Sequence, residues 1–203
     1  MKSLSLALAA IAALGLAGCA SITPTREVSS GYAILDVKAG PDIRPARIAE
    51  AVKVALQKNM SQVQITSGIP PSPLPEKAPR FQLVSPFKGS PLGALAAASG
   101  KSLQLPSCEG AILTAHARDT SMSRYGEGTT FFACVMPYQG GYALNVYTTF
   151  TKASGAFSAA TLGATMARTV VGDSSQFIPR TIAQMVDSVK ATGAEVTLVE
   201  AYP

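Results

Sequence analysis

Seven of the 14 prolines fall between Ile69 and Pro91, at positions 70, 71, 73, 75, 79, 86 and 91. No regular helix or central strand survives such a run, because each proline lacks the amide donor and fixes its own φ. Residues 69–91 therefore predict a long extended connection between two patterned parts of the chain. The 203 residues are 47% hydrophobic and 14% charged, which excludes a chain kept open by its own charge and suits one domain of ordinary size.

Upstream of the prolines, Gly31–Lys38 (GYAILDVK) alternates as a strand does, with Ala33, Leu35 and Val37 on one side. After Gly40-Pro41 a helix is expected from a cap at Asp42 to about Lys58, with Ile48, Val52, Ala55 and Leu56 along one face. Gln62–Thr66 alternates again. Strand, helix and strand make either a βαβ unit or the start of an antiparallel return. Inside the proline-rich connection, Phe81–Val84 is expected against a sheet edge. Ser90 and Pro91 then open a short helix, Leu92–Ser99, that stops at Gly100.

Downstream, Ala111–Arg118, Thr129–Pro137 and Tyr142–Thr151 read as three successive strands, the last two joined at Gln139-Gly140-Gly141 as a tight hairpin. Ser158–Val171 carries Leu162, Met166 and Val170 at helical spacing. A second helix to about Thr192 has the stripe Ile178, Ile182, Met185 and Val189 and ends at Gly193, before a last strand at Ala194–Val199. The expected fold class is α+β: a mixed or antiparallel sheet of about six strands, with helices packed on one face.

The first 18 residues are of a different kind: Lys2, then Leu4–Leu16 almost entirely Leu, Ala and Ile, then small residues. This is the form of an export signal, and it is too short to be a membrane span. Its end, Leu16-Ala17-Gly18-Cys19, resembles the lipobox of bacterial lipoproteins. The resemblance covers only the signal. It implies cleavage before Cys19, a diacylglyceryl group on that thiol, further acylation such as palmitate, and, from Ala20 in place of Asp, sorting to the outer membrane. The chain then divides into a signal peptide at 1–18, a tether at 19–29 and one α+β domain at 30–203. The domain faces the periplasm or the cell surface.

With Cys19 committed to lipid, Cys108 and Cys134 remain, an even pair in an oxidising compartment, where a disulfide is the default and two buried free thiols are the alternative. Two cysteines and the single histidine do not supply the four ligands of a zinc site, so no metal or cofactor is assigned. Lys77, Arg80, Lys88 and Lys101 against Glu76 make residues 69–107 the basic part of the chain. That charge fits either a solvated loop or contact with anionic headgroups and cell-wall carboxylates. Lys and Arg are too sparse for a nucleic-acid partner.

No catalytic constellation is complete. His116 lies in an expected strand without an adjacent nucleophile, which makes it a structural or surface residue. Ser85-Pro86-Phe87-Lys88 has the Ser-x-x-Lys spacing, but Pro86 opposes the helix this motif needs. Gly100-Lys101-Ser102 has only the end of a phosphate loop, with Leu95 where its first glycine belongs. Glu109, Asp119 and Glu127 flank one hairpin and read as solvated acids. The conspicuous connection is Asp119–Gly128 (DTSMSRYGEG), where Arg124 and Tyr125 are the candidate partner-contact residues. The sequence therefore points to a non-catalytic binding or assembly module of the cell envelope, held on the membrane through Cys19 and meeting an envelope protein or the cell wall. An envelope enzyme or small-ligand carrier with a dispersed site is the alternative.

Overall fold

A computed structural model describes residues 25–98, 104–121, 123, 127–154 and 177–202. Cys19, the expected helix at Ser158–Val171, Gly100-Lys101-Ser102 and both candidate contact residues, Arg124 and Tyr125, lie outside the described residues.

The described elements are β1 (Thr25–Lys38), α1 (Pro45–Asn59), β2 (Gln62–Ser67), β3 (Gln82–Val84), α2 (Pro91–Ala98), β4 (Leu105–Ser107), β5 (Leu113–Asp119), β6 (Gly128–Tyr138), β7 (Gly141–Ser154), α3 (Phe177–Lys190) and β8 (Glu195–Tyr202). Six strands form one sheet in the order β2-β5-β6-β7-β1-β8, and every neighbouring pair is antiparallel. The fold is α+β.

Strands β5, β6 and β7 follow one another as a meander. The β6–β7 hairpin pairs Tyr138 with Gly141, so the turn is Gln139-Gly140. Gly141 has φ +142°, and a Cβ there would lie 2.4 Å from the Val37 carbonyl oxygen, so a side chain is excluded by β1 as well as by the turn. The α1 crossover carries the chain from β1 to the far edge, where β2 pairs only with β5. Strand, helix and strand thus form no local βαβ unit.

Alternation divides the sheet into two faces. Ala33, Leu35 and Val37 of β1, Leu113, Ala115 and Ala117 of β5, Phe131, Ala133 and Val135 of β6, and Leu144 and Val146 of β7 face α1 and α3 in the main core. Helix α1 contributes Ile48, Val52, Ala55 and Leu56, the stripe its sequence spacing predicts. Its start differs from expectation. Arg44 stands at the N-cap with no side-chain cap bond, and Pro45 opens the helix, because a proline at the first position gives up no needed donor and has its φ already set; Asp42 does not cap it. Helix α2 starts as predicted, with Ser90 Oγ accepting from the Gly93 amide at 3.1 Å, while its expected stop at Gly100 lies outside the described residues.

Two boundaries depart from the sequence reading. Strand β1 begins at Thr25, inside the stretch read as tether, because residues 25–30 pair with 149–154 of β7 while Glu27, Val28, Ser29 and Ser30 are solvent-exposed. Four successive exposed side chains show no alternation. Gln82–Val84 does not join the edge of the main sheet. It pairs with Leu105–Ser107 in a separate two-stranded ribbon.

Candidate functional site

The second face of the sheet is covered by the proline-rich connection. Phe132, Cys134, Met136 and Ala143 are buried beneath it, with Cys108 and Tyr147 packed around them. Cys108 and Cys134 form a disulfide, with their Cα atoms 6.5 Å apart. Cys108 follows β4 and Cys134 lies mid-way along β6, so the bond fastens the β3–β4 ribbon, and through it the connection, to the sheet. Polar contacts continue the attachment: Asn145 Nδ2 donates to the Pro79 carbonyl at 3.2 Å and the Gln139 amide to the Pro75 carbonyl at 2.9 Å. Phe81 packs between Tyr32 and Tyr147, at centroid distances of 5.7 and 5.6 Å, and Tyr202 stacks on Tyr32. Glu200 accepts from the Tyr32 hydroxyl and pairs with Arg80. These two contacts, the tyrosine hydroxyl foremost, hold its carboxyl below the usual glutamate range. One cation of the basic stretch is therefore used internally.

The chemistry-bearing residues singled out in the sequence converge only in part. Asp119 and Glu127 line one shallow pocket of about 300 Å³ together with Arg118, Ser123, Thr129 and Thr151, while Glu109 is exposed elsewhere. Asp119 accepts from the hydroxyls of Ser61 and Ser121 at 2.8 and 2.7 Å. It thus closes the turn after β5, an ordinary task for an Asp beside serines. Glu127 is 2% exposed. His116 is exposed on β5, its ring edge-on to Phe132 at 4.7 Å. Ser85–Lys88 is a turn, with the Lys88 amide donating to the Ser85 carbonyl at 3.2 Å. Among the described residues no three His, Cys, Asp or Glu side chains are grouped to hold a metal ion.

The larger of the two concavities among the described residues is one that the sequence reading missed. A groove of about 890 Å³ runs on the helix face, between α3 and the rim formed by β1 and β8. Its walls are Leu35, Phe150, Ile182, Val186, Val196 and Leu198, with serines 29 and 30 at one end and Lys190 at the other. The reason for it is the orientation of α3. The buried stripe of this helix is Thr181, Met185 and Val189. Ile178 and Ile182, expected in that stripe, are only half-buried and face the groove. Leu198 is 58% exposed.

Among the described elements α3 packs against α1 and, more lightly, against β8. The sequence carried one signal at this edge: β8 (EVTLVEAY) has apolar residues on both faces, unusual for a strand at a sheet edge.

No family model matches the chain, and no curated protein matches it.

Proposed function

We propose that the protein is an outer-membrane-anchored lipoprotein of the periplasm that acts by binding, as an assembly or contact module of the cell envelope, and not by catalysis. The observation that carries this reading is Leu16-Ala17-Gly18-Cys19 behind an apolar export signal, only six residues ahead of the first strand. Two features support it. The Cys108–Cys134 bond suits an oxidising compartment. The groove walls are apolar, which suits recognition by burial more than acid–base chemistry.

Replacement Cys19→Ser tests the anchor. It should leave an uncleaved precursor or release soluble protein when envelopes are fractionated. Normal processing with unchanged membrane partition of Cys19→Ser would end the reading. The second reading, a carrier of a small apolar ligand, is favoured by the groove itself, whose volume is in the range of ligand-binding clefts.

A further inference from the structure

We infer that the groove between α3 and the β1–β8 rim holds one acyl chain of a membrane phospholipid. The inference rests on the anchored reading above and extends it by giving the module a ligand.

Three observations lead to this occupant. The first is chemical. Leu35, Phe150, Ile182, Val186, Val196 and Leu198 present a continuous apolar wall, with polar groups confined to the ends, so the site suits a hydrocarbon and offers few partners to a sugar or an anion. The second is dimensional. From Ile178 to Lys190 the helix wall rises about 18 Å, and one leaflet of a bilayer's hydrocarbon core is about 15 Å deep. The third is positional. Residues 19–24 extend over at most about 20 Å, and the strand they lead into is β1, whose residues 29–31 line the near end of the groove. The four strand residues 25–28 add about 13 Å, so a lipidated terminus keeps that end within about 33 Å of the bilayer. Each methylene moved out of water into such a wall is stabilised in proportion to the apolar area it buries. A chain drawn from the bilayer only exchanges one apolar surface for another, so occupancy is reversible and concerns lipid lent by the membrane.

The test uses the full lipidated chain in vesicles of phosphatidylethanolamine and phosphatidylglycerol, doped with a phosphatidylcholine that carries a diazirine on one acyl chain. After irradiation, crosslinked lipid should map to the peptides 181–190 and 191–203, which hold Ile182, Val186, Val196 and Leu198. Ala183→Trp, at an exposed position on the rim, should fill the groove and lower that yield roughly tenfold, equivalent to about 1.4 kcal/mol. Leu198→Asp should do the same through a charge on the wall, with thermal unfolding confirming that both variants fold.

Crosslinks absent from these peptides, confined to the stretch before Ser29, or unchanged in both variants would overturn the inference. A benzophenone placed on Leu198→Cys supplies the competing outcomes. Capture of lipid supports the acyl site, and capture of residues 155–176 of the same chain or of a second copy refutes it. Vesicle co-sedimentation, read separately, reports on the anchor alone. A chain that co-sediments yet gives no crosslink in these peptides fails the groove alone, so the two failures remain distinguishable.

Discussion

The two faces of the sheet are covered by opposite means. On one, α1 lays Ile48, Val52 and Leu56, each fully buried, against alternating strand residues. On the other, a proline-rich connection that cannot form a regular element is held by a disulfide, by the Asn145 and Gln139 hydrogen bonds and by the wedge of Phe81 between two tyrosines. The difference teaches where stability must come from. A helix satisfies its own backbone and can spend its side chains on packing. A prolyl segment has few donors of its own, so the sheet and a covalent bond must fasten it at separate points.

The largest effect that would separate the two faces is Leu56→Ala. Leu56 is fully buried under α1, and the substitution should cost about 4 kcal/mol through lost burial and the cavity left behind. Denaturant unfolding should show the loss as a lowered midpoint with the slope unchanged.

Removing the disulfide in Cys108→Ala/Cys134→Ala should cost about 3.5 kcal/mol, since the bond closes a loop across a sequence separation of 26 residues. Here the damage should also be local. Limited trypsin digestion at Lys77 and Arg80 should accelerate more in this variant than in Leu56→Ala matched to the same global stability. Equal acceleration would mean that the two coverings unfold as one and that the comparison has no mechanical content.

Leu198→Ala sharpens the contrast within the helix face itself. The same change of side chain on the open rim, at a residue 58% exposed, should cost no more than about 0.5 kcal/mol. A loss near that of Leu56→Ala, measured in the isolated protein, would show the rim to be closed in solution.

The smallest effect concerns the pin at Glu200. Its carboxyl is held low by the Tyr32 hydroxyl and by Arg80, so the unfolded chain binds the proton more readily than the folded one. The contact therefore stabilises above the unfolded glutamate value of about 4.3 and is lost as the pH falls through the lower folded value. Ring resonances of Phe81 and Tyr202 should shift across that acid range in the parent. Glu200→Gln should remove this titration and leave the helix face unmoved.

Much of the fold was legible because its elements are locally consistent. The α1 stripe, the Ser90 cap with Pro91, the Gly-Gly hairpin and the parity of Cys108 and Cys134 each encode their outcome within a few residues or by simple exclusion. The failures were of two kinds. Asp42 lost the cap to a proline three residues on, a competition between two valid start signals. Residues 25–29 and Gln82–Val84 are strands through backbone pairing, with Glu27, Val28, Ser29 and Gln82–Val84 exposed, so no side-chain pattern announces them. Of the candidate site, the residues were legible but not their places: Asp119 and Glu127 meet in one pocket, while Ile178 and Ile182 of the expected apolar stripe pack at the margin of the core and line a groove.

By itself, then, the sequence determined most of the helical and extended segments, the inward stripe of α1, and that residues 69–81 hold no regular element. Periodicity, capping and proline stereochemistry act over a few residues and need no partner to be read. Only the tertiary structure decided that β2 crosses to the far edge, that β8 closes beside β1, that α3 rests on Thr181, Met185 and Val189, and that an apolar groove is left at the rim. Those outcomes depend on which strands pair and on how α1 and α3 settle against each other and the sheet. Such contacts join residues distant in sequence, and no local pattern encodes them.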